Sequence, residues 1–155
     1  MPYLLDGNNL MGLARQRGLG GITDRRGLAG AVAALARSRG GRYTLVFDGG
    51  PDQHFVGGTQ LGAVRVEFAA PRSADDWILS RVRSAANPRN WTVVSADRAL
   101  VSAVRNAGAR AMDAADFVSR LAGLPAGAGE KPDGRAVDLE EWEEYFRTGK
   151  DEEGE

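Results

Sequence analysis

Tyr3-Leu4-Leu5-Asp6-Gly7-Asn8-Asn9-Leu10 is the stretch that decides the fold. Its apolar run is too short for a helix and ends in four turn-formers. It therefore reads as a buried strand that stops at an acid, just where a helical pattern begins. Ligands of open α/β sheets bind beyond the carboxyl ends of the strands, so Asp6 stands where chemistry can be done. For a lone acid the commoner role is structural: Asp6 or Asn8 can cap the following helix by accepting its orphan N–H groups. What separates the two readings is whether other acids join Asp6.

The pattern recurs along the chain. Leu28, Val32 and Leu35 fall at helical spacing between Thr23 and Gly40, with Thr23 or Asp24 as cap and Gly40-Gly41 as stop. Arg42-Tyr-Thr-Leu-Val-Phe-Asp48 is a second β-prone run closed by an acid and a glycine. Residues 49–62 are glycine-rich and predict a loop. That loop holds His54, the sole histidine, whose ordinary reading is an exposed loop residue. Ala63 to Phe68 alternates apolar and charged side chains, as an edge or half-exposed strand does.

Ser73-Ala-Asp75-Asp76 opens a helix bearing Trp77, Ile78 and Val82, and Ser73 with Asp76 has the spacing of a capping box. Trp91 to Ser95 is a third apolar run, followed by Asp97-Arg98 and a helix with Leu100, Val101 and Val104. Ala109 to Met112 predicts a last strand and Asp113 to Leu121 a last helix. Strands and helices alternating at these lengths predict an α/β fold: a three-layer α/β/α sandwich on a mostly parallel sheet with right-handed crossovers. One domain spans 1–123, and a Pro/Gly-rich linker 124–137 follows. A short acidic amphipathic helix, with Leu139, Trp142 and Phe146 on one stripe, covers 138–147 and a disordered tail 148–155.

Composition bounds the chemistry. With no cysteine the chain has no thiolate nucleophile, disulfide or cysteine zinc site, and a reducing, cytoplasmic compartment is expected. One histidine leaves a Ser-His-Asp triad or a typical zinc site short of parts. There is no basic-then-apolar leader, and no apolar run approaches the roughly 20 residues of a membrane span, so no membrane partner is expected. The formal charge of −1 conceals an asymmetry: residues 1–129 hold 16 Arg against 10 acids, and residues 130–155 hold four basic against 11 acidic side chains. Arginine suits bidentate phosphate contacts, although a coding bias toward Arg, Ala and Gly produces the same composition.

Five of the body's ten acids, Asp6, Asp48, Asp75, Asp76 and Asp97, fall at strand ends or helix starts, which a parallel sheet gathers on one edge. Carboxylates so gathered repel one another unless a cation joins them. Oxygen-only ligation suits Mg2+ or Mn2+. All five acids are candidate metal ligands, and Asp6, Asp48, Asp76 and Asp97 are the candidate catalytic residues. Asp75 is expected to turn aside, because neighbouring helical positions lie about 100° apart. A cation beside an arginine-rich surface points to a phosphodiester substrate, with Arg72 and Arg98 next to the acidic motifs as first candidates for phosphate contact.

The order Asp6-Gly-Asn-Asn9, Val46-Phe-Asp48-Gly, Ala74-Asp75-Asp76-Trp-Ile78 and Ser95-Ala-Asp97-Arg resembles the NYN branch of the PIN-like nucleases, in particular its bacterial YacP-like members, over residues 2–122. The resemblance implies a PIN-like fold and metal-dependent endoribonuclease cleavage, with messenger RNA at the ribosome as a substrate. It places Asp6, Asp76 and Asp97 on the family's acidic positions, Asp48 on the acid after the second strand, and Asn9 on the asparagine after the first acid. Asn9 and Ser95 join Arg72 and Arg98 as expected substrate contacts. Related flap-type nucleases often carry a Glu where Ser73 stands, which leaves one or two metals open. Two rival readings remain: an RNA- or ribosome-binding module without catalysis, and a phosphatase using Asp48 as nucleophile, whose usual second Asp is replaced here by Gly50.

Overall fold

β1 (Pro2–Asp6) is the pivot of the sheet, pairing in parallel with β2 (Arg42–Phe47) on one side and β5 (Thr92–Ser95) on the other. The computed structural model of the chain describes residues 2–50, 55 and 60–124. His54, nearly all of the expected linker, the acidic helix and the tail lie outside the described residues.

Beyond β2 come β4 (Val64–Phe68) and β3 (Gln60–Leu61), and beyond β5 comes β6 (Arg110–Asp113), giving six strands in the order β3-β4-β2-β1-β5-β6. Every pairing is parallel except that of β3 with β4. The alternating 63–68 stretch predicts an edge or half-exposed strand, and β4 is the half-exposed kind: it is paired on both sides with Arg65 exposed, and the edge is β3. Two residues inside a glycine-rich segment carry no strand propensity of their own. Gly62, at φ 60°, folds them back onto β4, whose backbone supplies the partners.

Helices cover both faces, as expected. Successive residues of a strand point to opposite faces, so Leu5 enters one core and Leu4 the other. Leu5 packs with Leu45, Phe47 and Val94 against α1 (Gly7–Gln16), α2 (Arg25–Arg39) and α5 (Ala114–Ala122). Leu4 packs with Val46 and Val93 against α3 (Ala74–Arg83) and α4 (Arg98–Asn106). The expected α/β/α sandwich on a mostly parallel sheet is therefore the observed fold. Of the two cap candidates for α2, Asp24 performs the task, accepting the Gly27 N–H at 2.8 Å.

α1 begins on the residue after β1, without a loop. A side chain at Gly7 would put Cβ 2.5 Å from the Phe47 ring and 2.9 Å from the Val46 carbonyl oxygen, so only glycine lets the chain turn there. This direct junction brings Asp6, Asn8 and Asn9 to the carboxyl edge of the sheet, beside the ends of β2 and β5.

Candidate active site

Asp6 ends the central strand and is only 3% exposed. Its two oxygens accept from the Asn9 N–H at 3.4 Å and the Ser95 hydroxyl at 3.1 Å. The capping reading of Asp6 therefore holds, with a long cap bond. Asn9 reaches across to the end of β5, where its side-chain oxygen accepts the Ala96 N–H at 2.6 Å and also lies 3.1 Å from the Ser95 hydroxyl oxygen. Ser95 in turn accepts the Asp97 N–H at 3.0 Å. Residues nearly ninety positions apart are thereby tied into one wall, which holds Asp6 and Asp97 to a common opening.

Asp48 forms the opposite wall. Its carboxylate accepts the N–H of Ala74, the first residue of α3, at 2.7 Å, which suits a negative group at a helix N-terminus. Its backbone is fixed twice over: its N–H donates to Asn8 Oδ1 at 2.9 Å, and its carbonyl accepts from Arg25 Nη2 at 3.0 Å. The Arg25 guanidinium lies 4.9 Å from the centre of the Phe47 ring. Neither Asn8 nor Arg25 figures among the sequence candidates in this role. Their signal is weak, since each looks like an ordinary residue of a helix start and acts only through the end of β2.

α3 adds the remaining acids. Ser73 caps it by accepting the Asp76 N–H at 3.1 Å, so that half of the expected capping box is formed. The core face of α3 is Ala74, Ile78 and Val82, four residues apart. Asp75 sits about 100° from that face and Asp76 about 200°, nearly opposite it. Asp75 is consequently half-buried and directed at the other acids, while Asp76 is exposed. The structure thus places Asp75 in the cluster that the sequence pattern and the resemblance assign to Asp76, and it turns Asp76 outward.

The electrostatics follow from this packing. Burial pushes the Asp6 carboxyl above its ordinary value; the Asn9 N–H and the Ser95 hydroxyl pull the other way, and Asp48 and Asp97 add to the rise. Asp75 is pushed up to about 6, by burial first, then by its hydrogen bond with Asp97 and by the charges of Asp6, Asp97 and Asp48. Asp97 is held below the ordinary value by the Leu100 N–H, by the bond from Asp75 and by the Ala99 N–H. The interaction between Asp75 and Asp97 thus enters the two shifts with opposite sign.

Among the described residues, no three acidic or histidine side chains form a ready-made metal cage. The donor chemistry nevertheless fits a hard cation. Asp6 is buried, and Asp48, Asp75 and Asp97 lie close enough for their charges to act on one another, which suits a cation among them. Mg2+ keeps several waters and commonly takes only one or two carboxylates, so a carboxylate pair is a sufficient holder.

Of the expected substrate contacts, Ser95 is 1% exposed and its hydroxyl is spent inside the wall, as is the Asn9 side-chain oxygen. Both position the acids. Arg72 and Arg98 are exposed, Arg72 just ahead of α3 and Arg98 at the first turn of α4. No described helix is long and apolar enough to cross a membrane.

A six-stranded, mostly parallel sheet between two helical layers, with acids gathered at its carboxyl edge, is the architecture of the PIN-like class. A model of the YacP-like NYN domain matches residues 3–143, and the chain belongs to that nuclease-type family. The crystal structure of Rae1 (YacP) from Bacillus subtilis, solved as a tryptophan-to-leucine mutant, is similar with a TM-score of 0.57 at 20% identity, covering 79% of this chain and 74% of that one. At that identity the likeness carries the fold alone. No curated protein matches the chain significantly.

Proposed function

We propose that the protein is a metal-dependent endoribonuclease that hydrolyses RNA phosphodiester bonds at the edge formed by Asp6, Asp48, Asp75 and Asp97. The observation that carries this reading is Asp75: half-buried among three other acids, its carboxyl is raised to about 6. Acids packed this way disfavour their own ionised forms, and a cation removes the penalty.

Asp75 and Asp97 would hold Mg2+ or Mn2+, with Asp6 and Asp48 adding negative charge around it. When bound, such an ion polarises a phosphoryl oxygen and makes water a better nucleophile. The chain's own residues do the rest. The Asn9–Ser95 wall keeps Asp6 and Asp97 at fixed separation, Asp48 ties the start of α3 so that Asp75 faces inward, and Arg72 and Arg98 draw the backbone to the opening.

The lack of a ready-made cage among the described residues favours one rival, a non-catalytic RNA-binding module. The phosphatase reading has less support, because one Asp48 oxygen is committed to the start of α3. End-labelled RNA and a generic phosphomonoester, each incubated with the protein in Mn2+ or EDTA, separate the three. The expected result is internal RNA cleavage that requires Mn2+ and disappears in Asp97→Asn; RNA bound but intact in Mn2+ overturns the proposal. Messenger RNA at the ribosome, as the resemblance implies, is tested by the same assay on ribosome-bound message.

A further inference from the structure

A second concavity opens beside the acidic edge. It is a groove of about 440 Å3 between α4 and the end of β6, within the range of roughly 300–1,000 Å3 usual for small-ligand sites. Its near end is Ser95-Ala96, the turn that Asn9 ties to the Asp6 wall, so the groove and the acids share a rim. Its floor is one face of α4, on which Arg98, Val101, Ser102 and Arg105 follow one another at i, i+3, i+4 and i+7. Asp113, level with Ser95 across the β5–β6 pairing, closes the side facing α4.

The lining is chemically divided. Arg98 and Arg105 are exposed and lie about 10 Å apart along the helix axis, and no ion pair joins either to a described acid. Between them Val101 is half-buried and offers an apolar patch, while Ser102 offers a hydroxyl. Asp113 caps α5 with one oxygen, which accepts the Ala115 N–H at 3.2 Å. Its other oxygen can accept from an N–H or a ribose hydroxyl.

We propose that this groove binds one nucleotide of single-stranded RNA, the neighbour of the phosphate held at the acids. Arg98 and Arg105 take the phosphates on either side of it, Val101 underlies its base or sugar, and Asp113 accepts from its polar edge. The groove runs from the shared rim along α4, so a strand entering at the acids can continue along the two arginines. The assignment rests on the nuclease reading of the acidic edge, because that reading puts a phosphate at the rim.

The test is binding of a fluorescein-labelled ten-nucleotide single-stranded RNA to the full chain in EDTA, followed by anisotropy, so that it gives a result whether or not the protein cleaves. Arg105→Ala is expected to weaken binding about tenfold and to lower the salt slope by about 0.7, the share of one phosphate on a single strand. Ser102→Trp fills the groove without changing charge and should weaken binding by a similar factor. Arg42→Ala, at the start of β2 on the opposite edge of the sheet, should leave binding unchanged. Thermal melts of all three variants establish that they fold. Unaltered binding by folded Ser102→Trp overturns the groove, and so does an equal loss in Arg42→Ala, which would mean that only bulk charge matters. Should the wild type bind RNA through the groove yet cleave nothing in Mn2+, the groove stands and the nuclease reading falls.

Discussion

Asp75 and Asp97 enter two neighbouring helices at their first turns, yet the same local event has opposite electrostatic results. Asp97 is itself the cap of α4, and its carboxylate accepts the Ala99 and Leu100 N–H groups at 2.9 and 3.2 Å. α3 is capped by Ser73, so Asp75 receives no such help and meets burial and three other acids instead. One carboxyl is held down and the other driven up. The comparison teaches that a capping bond favours the ionised form of an acid, whereas an acid whose helix is capped by another residue is left to burial and its charged neighbours.

The largest expected effect follows directly. Asp75→Asn should lower RNA cleavage by about 100-fold or more, the scale for removing a group that stabilises the reacting charge, whereas Asp76→Asn should stay within about threefold. Initial rates on labelled RNA in Mn2+ measure both; equal losses would return Asp76 to the site and break the contrast.

Metal should act on the same pair. Mn2+ at about 100 times its dissociation constant should stabilise the wild type by about 2.7 kcal/mol, seen as a raised melting temperature, with most of the response lost in Asp75→Asn. Asp6→Asn should raise metal-free stability, because it removes a buried charge from among acids, and should lose the response too. A wild-type melt unmoved by saturating Mn2+ counts against a cation at this edge.

Capping comes next. Asp97→Ala and Ser73→Ala should each cost about 1 kcal/mol in urea unfolding, while Asp97→Asn, which can still cap, should cost much less. That variant therefore separates the helical duty of Asp97 from its chemical one. Loss of stability in Asp97→Asn as large as in Asp97→Ala would show that charge, not capping, supports α4.

The smallest effect is a pH slope. The folded-state value for Asp75, about 6, lies above the ordinary 3.8, so the fold holds that proton more tightly than the unfolded chain does. Its contribution to metal-free stability is complete below about 4 and is lost as pH rises through 6. Asp97, held low, has the opposite sign: its contribution is present above the ordinary value and is lost as pH falls through its lowered one. Urea unfolding in EDTA between pH 4 and pH 7 should therefore show a decline through 6 that Asp75→Asn removes. A wild-type profile identical to that of the variant would remove Asp75 from the cluster.

Much of this was legible in the residues. Tyr3 to Asp6, Arg42 to Asp48 and Trp91 to Asp97 each announce a strand ending near an acid, because strand runs, turn-formers and caps act over a few neighbouring residues. Parallel alternation then brings those ends to one edge, so Asp6, Asp48 and Asp97 were readable as a group. The orientation of α3 was readable in principle, since Ala74, Ile78 and Val82 mark a core face that puts Asp76 on the far side.

Other features depend on contacts that no local pattern encodes. Asn9 and Ser95 look like substrate contacts in sequence and become internal struts only because β1 and β5 lie side by side, which closes hydrogen bonds between residues 86 apart. Arg25 and Asn8 acquire their hold on Asp48 in the same way, and β3 exists because β4 offers it an edge. The α4 groove likewise needs β6 to stand opposite the helix. The sequence alone determined which segments are strands and helices and where most of the acids fall, since those follow from short-range periodicity. Only the tertiary structure decided which acid faces inward and which polar groups are already spent, because both depend on burying two sheet faces at once.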